Sequence, residues 1–269
     1  MVVYAGQGDP RRSMGLLWRE PEAGARVAPG PKPELSVGLV VGTAIEIADA
    51  QGLQALSMRA VGERLGRTAM SLYTYVASKN ELIDLMYDQA FTELAEEAEQ
   101  SSEIDEALDW RARTHAWVGL LWRFYLRHPW TLEISQARPV LGPGEFRLHE
   151  SLATLLHAAG LAPKAIGDVY GSLLNLVRGM VRTAAEARQA QAVTGVPEDE
   201  WWYARSEQLE ELVPDFSERF PTLALMSADG AFENEDSQEP YIEQEAWETL
   251  RFGLEALLDG IQRRIAHES

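Results

Sequence analysis

The 269-residue sequence predicts an all-α protein: a three-helix helix-turn-helix unit near the N-terminus, followed by a larger helical domain. Three observations lead there. Apolar residues recur at three- and four-residue spacing along most of the chain, and beyond residue 82 no stretch alternates as a half-buried strand does. Between residues 36 and 82 the helical runs are short and end at Gly52 and Gly66, the punctuation of a helix-turn-helix unit. The charge is also divided. Residues 1–80 carry nine Lys and Arg against seven Asp and Glu, net +2, whereas residues 81–269 carry 15 against 35, net −20. An acidic body repels nucleic acid, so any contact with it is confined to the first third of the chain.

In chain order, residues 1–34 read as a flexible arm rich in Gly and Pro, carrying Arg11, Arg12, Arg19, Arg26 and Lys32 and ending in APGPKPEL. From Ser36 a helix follows, with Val40, Val41, Ala44, Ile47 and Ala48 on its apolar spacing and Gly52 at its end. Ser57 caps a second helix holding Val61 and Leu65, which Gly66 stops. A third starts near Thr68 and holds Leu72, Tyr73 and Val76. Ser78 caps a fourth, with Glu81 at capping-box spacing. The helix-turn-helix domain is thus expected over residues 35–82 and the larger domain over 83–269. Within the latter, helices are expected at 79–100, 105–127, 130–137, 143–159, 163–192, 199–212 and 241–267, broken at HisProTrp, GlyProGly, GlyLeuAlaPro and ThrGlyValPro. Residues 227–240, SADGAFENEDSQEP, read as a mobile acidic loop.

Several chemistries are excluded. The chain has no cysteine, hence no disulfide, zinc-thiolate site or thiol nucleophile. No run of about 18 apolar residues is long enough to span a bilayer, and no leader pattern opens the chain. A cytoplasmic protein without membrane contact is expected. An all-helical enzyme is the rival from another class, but Asp-Asp-x-x-Asp, Glu-x-x-His and nucleophile-base pairings are all missing. None of His115, His128, His149, His157 and His267 has a carboxylate three residues before it, so no metal, no cofactor and no catalytic residue is expected.

The stretch RTAMSLYTYVASKNEL, residues 67–82, holds the most informative chemistry. A helix entering a major groove needs small side chains at its leading end, supplied by Ala69, Met70 and Ser71. Hydroxyls and amines must flank it to hold phosphates, as Tyr73, Thr74, Tyr75 and Lys79 do. Lys79 lies on the first turn of the next helix, where free amides already favour an anion. Periodicity alone leaves open the plainer reading, a core of Leu72, Tyr73 and Val76 with a solvated face.

SMRAVGERLG followed by RTAMSLYTYVASKNEL resembles the DNA-binding domain of the TetR family of transcriptional repressors over residues 36–86, with Gly66, Leu72, Tyr73, Lys79 and Leu82 in register. The resemblance implies that Arg59 reads a guanine edge, with Met58 beside it over a thymine methyl or the backbone. It implies bases facing Ala69, Met70 and Ser71, phosphates held by Tyr73, Tyr75 and Lys79, and Thr68 capping the reading helix. Ala69 and Thr74 depart from the family pattern, which shifts weight from base hydrogen bonds toward DNA shape. The Arg-bearing arm is a further candidate, for an adjacent minor groove.

RHPWTLEI, the GPGEF turn and WETLRFGLEALLDGIQRRI resemble the branch with a tetracycline-repressor-like C-terminal domain, which implies a ligand-binding domain and a homodimer. No residue-by-residue match carries a metal site across. Independently, Val169, Leu173, Leu176, Val177 and Met180 form one stripe, and Trp247, Leu250, Leu254, Leu257, Leu258 and Ile261 a second. Two such helices per chain make a four-helix dimer interface, or else pack inside one chain. Aromatic residues crowd positions 110–130, as a pocket for a flat apolar ligand requires. Its candidate lining is Trp117, Leu121, Trp130, Phe146, His149, Asn175 and Arg178. Trp201 and Trp202 suit a lid or a partner contact. The expectation is a homodimeric repressor on a palindromic double-stranded operator, released by a small hydrophobic or aromatic effector. An activator or a regulator without ligand is the alternative.

Overall fold

The structure, a computed structural model, describes residues 3–18, 35–104, 108–230 and 240–268. Among these, regular structure is helical, apart from one isolated parallel bridge between Val3 and Ile134. Two compact units form: residues 1–177 with 257–269, and residues 178–256.

The first unit begins with α1 (Pro10–Leu17), then α2 (Val37–Gln51), α3 (Met58–Leu65), α4 (Ala69–Leu72) and α5 (Lys79–Gln100). Serine and threonine start α2, α3, α4 and α5 for one reason: a side-chain oxygen satisfies an amide that has no carbonyl partner within the helix. Ser36 accepts from the Leu39 N–H at 3.2 Å, Ser57 from Ala60 at 3.0 Å, Thr68 from Ser71 at 3.3 Å and Ser78 from Glu81 at 3.1 Å. Glu81 closes the last cap in return, accepting the Ala77 N–H. Gly66 ends α3 at φ +64°, a left-handed conformation that a β-carbon disfavours. Gly62 serves a different need. A β-carbon there would sit 2.9 Å from the Arg67 carbonyl oxygen, so its absence lets α4 close onto α3.

The unit continues with α6 (Trp110–Arg127), a 3-10 turn (Pro129–Glu133) and α7 (Pro143–Ala158). It also contains the first half of α8 (Pro163–Thr194) and the end of α12 (Tyr241–Glu268). Helix α5 is the central strut, packed against α1, α2, α6 and α7. Its apolar side buries Leu82, Met86, Phe91 and Leu94, and Phe91 meets Phe124 of α6 edge-on at 4.9 Å. At the start of α7 the backbones nearly touch. A β-carbon on Gly144 would lie 2.4 Å from the Asp88 carbonyl oxygen, which explains GlyProGly better than a simple turn does.

The second unit contains the rest of α8, the start of α12, and between them α9 (Glu198–Leu212), α10 (Phe216–Arg219) and α11 (Pro221–Ala228). Arg188 grips Glu243 through Nε at 2.6 Å, and Glu198 accepts the Ile242 N–H at 3.2 Å. Trp202 contacts both Trp201 and Tyr241, at 4.9 and 6.2 Å between ring centres.

Residues 3–18 differ from the expected flexible arm. Val3 donates to the Glu133 carbonyl at 2.9 Å, the Gly6 N–H to Asp84 at 3.1 Å, Arg12 Nε to Glu81 at 3.0 Å, and Trp18 Nε1 to the Leu141 carbonyl at 2.9 Å. The segment is a strap, held because it compensates two carboxylates that α5 buries. Arg19, Arg26 and Lys32 lie outside the described residues, as does most of the expected acidic loop. Its leading residues, Ser227 and Ala228, end α11.

Candidate nucleic-acid interface and effector cluster

The helix-turn-helix geometry sorts the candidate DNA-facing residues by exposure. Leu72 and Val76 are fully buried beneath α4, which leaves Met70, Tyr73 and Thr74 facing solvent and Ala69, Ser71 and Tyr75 partly covered. Thr68 caps α4, and the Ser71 hydroxyl donates to the Thr68 carbonyl at 2.7 Å. Arg59 is exposed and paired with Glu63 at 2.7 Å, which raises its already high pKa, first through the Glu63 hydrogen bond. An anion taking up Arg59 therefore displaces a neighbouring carboxylate.

Two residues depart from expectation. Met58, expected beside Arg59 at the duplex, is 5% exposed. On the first turn of α3 its unbranched side chain faces inward and fills the core. Lys79 does emerge into solvent, but its Nζ reaches the Leu53 carbonyl at 3.3 Å, so it also ties α5 to the loop after α2.

Asp and Glu side chains ordinarily lie at the solvent. Among the described residues the structure buries five carboxylates, Glu243 in the second unit and Glu81, Asp84, Asp88 and Glu145 in the first. Asp84 has its pKa pushed up to about 6, chiefly by burial, with the Gly6 N–H opposing and Glu81 adding to the rise. Asp88 accepts the Gly144 N–H at 2.8 Å and Glu145 the Leu141 N–H at 2.8 Å, and burial raises both above the usual carboxylate range. Their spacing at 81, 84 and 88 is helical. A sequence reading that assigns charges to solvent by default passes over such a stripe.

The candidate ligand residues divide. Phe146 and His149 lie together on α7, 6.4 Å apart, with Trp18 5.9 Å from Phe146 and Tyr170 5.1 Å from His149. Trp117 is buried beside the same helix, its indole N–H on the Ser151 hydroxyl at 3.1 Å, and Leu121 is buried too. Burial lowers the His149 pKa, which favours the neutral imidazole. The Tyr170 hydroxyl is buried with no hydrogen-bond partner among the described residues, and burial raises its pKa. Tyr170 and Trp18 were missed. For Tyr170 a signal existed, because it stands one turn before Leu173 on the same helix.

Trp130 lies elsewhere. Its indole N–H donates to Asp49 Oδ1 at 2.8 Å, and His128 Nδ1 meets the same oxygen at 2.7 Å. Asp49 belongs to α2, so this triad bolts the helix-turn-helix bundle to the turn after α6. Asn175 is exposed, its amide on the Gly171 carbonyl at 2.8 Å, and Arg178 opens the second unit. Of the expected interface stripes, Leu173, Val177, Leu250, Leu254, Leu258 and Ile261 are buried within the protomer, and Met180, Trp247 and Leu257 are half-buried. Apolar spacing alone does not distinguish a face covered by its own chain from one covered by a partner.

Among the described residues no helix is long and apolar enough to cross a membrane, and no group of three or more His, Asp or Glu is placed to hold a metal.

A helix-turn-helix bundle joined through one long helix to a helical body defines a class of DNA-binding transcription regulators. Residues 105–265 match the family described as tetracyclin repressor-like, C-terminal domain. The chain is 35% identical over 262 residues to the HTH-type transcriptional repressor DrrR1 of Streptomyces coeruleorubidus, covering 97% of this chain and 89% of that protein. It is 31% identical over 62% of its length to an HTH-type transcriptional regulator of Saccharopolyspora erythraea. The fold is similar to apo ActR of Streptomyces coelicolor, with a TM-score of 0.63 at 24% identity over 87% of this chain and 99% of that one. The chain belongs to the TetR family of transcriptional repressors.

Proposed function

We propose that the protein binds a palindromic operator as a homodimer and leaves it when a small hydrophobic or aromatic effector occupies the helical body. The observation that carries the DNA half is the solvent-facing rim of Arg59, Met70, Tyr73, Thr74 and Lys79, within residues 1–80, whose net charge is +2. A gel shift on the region upstream of the gene tests it. Retardation that weakens with salt supports the reading. Dimeric protein that leaves both that region and random duplex unshifted at low salt overturns it.

The effector half rests on the cluster of Trp117, Phe146, His149 and Tyr170. Its aromatic walls suit a flat ligand, and the unpartnered Tyr170 hydroxyl and neutral His149 suit a hydroxyl or carbonyl on it. The TetR family protein ActR of Streptomyces coelicolor has been solved in complex with actinorhodin, and the analogy extends that class of ligand to this chain. Release requires an effector to favour one of two dimer geometries. Helix α5 is the natural lever, since it starts immediately after the reading segment and packs on α7, which carries Phe146 and His149. For the dimer, half-buried Met180, Trp247 and Leu257 remain, joined by Phe252 at 78% exposed and by the apolar residues of α9–α11. Sedimentation of wild type and Phe252→Asp checks this, with a shift toward monomer expected in the variant.

A further inference from the structure

We propose that the groove between α1 and the end of the reading segment seats a phosphate of the DNA backbone, with Arg11 as its cation. This rests on the DNA-binding reading above. The groove has a volume of about 430 Å³ and is lined by Arg11, Arg12, Gly15, Leu16, Val37, Thr74 and Tyr75.

The strap makes this wall rigid. Asp9 caps α1 by accepting the Arg12 N–H at 2.8 Å, Arg12 Nε holds Glu81 at 3.0 Å, and the Gly6 N–H holds Asp84. These bonds fix residues 11, 12, 15 and 16 along one side of α1, opposite the first turn of α2 and the two residues that follow Tyr73. Gly15 leaves the space open, because a β-carbon there would meet nothing within 4 Å.

The lining chemistry is selective. Two of the seven lining residues are arginines, two carry hydroxyls, and none is acidic. The Arg12 charge is partly matched by Glu81, whereas Arg11 is exposed and has no ion-pair partner among the described residues. A cation beside two hydroxyls in a site open to solvent is the donor set of a phosphate contact. Its neighbour in sequence is the helix that would meet the bases, so the same duplex would supply the phosphate. The charge of the rest of the chain argues the same way. Arg12 is positioned by its ion pair with the buried Glu81, and Arg11 stands next to it on α1 with its charge unmatched beside Thr74 and Tyr75.

The experiment compares wild type, Arg11→Gln and Arg11→Lys on the operator duplex and on a random duplex, across a range of salt. Arg11→Gln is expected to weaken both by several-fold and to reduce the salt slope by about one for each bound protomer. Arg11→Lys is expected to restore most of the slope. Circular dichroism melts should superimpose, since the side chain is exposed. Equal affinity and slope in wild type and Arg11→Gln overturn the proposal while leaving the DNA-binding reading intact. A loss confined to the operator, with the slope unchanged, also overturns it, because Arg11 would then read a base. Wild type that binds neither duplex overturns both.

Discussion

Helix α5 and the α9–α11 segment are built on opposite terms. Thirteen of the 22 residues of α5 are buried, three of them carboxylates, whereas none of the 15 residues of α9 is buried although it carries Trp201, Trp202, Tyr203 and Leu212. Burial around α5 is so complete that even charge is enclosed, answered by the Gly6 amide and Arg12 of the strap and by the Gly144 amide of α7. In α9–α11 the apolar residues meet water. A single chain has spent its own surface on the lever and left a second surface uncovered, which is the expected division when the first must be rigid alone and the second is completed by another molecule.

The largest effect should come from cutting into the packing around the lever. Phe124 is fully buried against Phe91, and Phe124→Ala is expected to cost about 3–5 kcal/mol in denaturant unfolding. Tyr203→Ala, on the 74% exposed side of α9, should change monomer stability by less than about 0.5 kcal/mol. Comparable losses in the two variants would break the contrast.

Next is the bolt between the helix-turn-helix bundle and the body. Asp49→Ala leaves the Trp130 indole and His128 without their acceptor, and a loss of about 1–3 kcal/mol is expected by thermal melting. Should effector still release the variant from DNA by the wild-type factor, the coupling runs through α5 alone.

The buried acid stripe gives a pH test. The folded Asp84 value near 6 stands above the ordinary 3.8, so the native state holds this proton more tightly than the unfolded chain. The ionised group therefore opposes folding above pH 6, and that penalty fades as pH falls from 6 toward 3.8. Asp84→Asn should be more stable than wild type at pH 7.5, by on the order of 1–2 kcal/mol, and the difference should vanish near pH 4. A gap that widens on acidification would mean that the strap prefers the anion. A modest effect is expected at α4, where Thr68→Ala removes a cap and should cost about 1 kcal/mol by urea titration.

Most of the fold was legible because helix ends are written locally. Ser57, Thr68 and Ser78 cap the helices they were expected to cap, and GlyProGly and ThrGlyValPro fall at breaks. Helix α1 was hidden, since Pro10 and the surrounding glycines read as linker while Pro is at home on a first helical turn. The site was less legible for a related reason. Position along a helix gives the face but not what covers it, so Met58 and Leu254 were assigned outward and are buried. The fate of Trp130 depended on Asp49, 81 residues away, and no local pattern joins them.

The tight joint at Gly144 carries a mechanical consequence. With no room for a methyl group between α7 and α5, the two helices have no slack with which to slide independently. A displacement of α7 toward α5 would press directly on the α5 backbone at Asp88 and Thr92. Any side chain larger than hydrogen at residue 144 would force the two backbones apart.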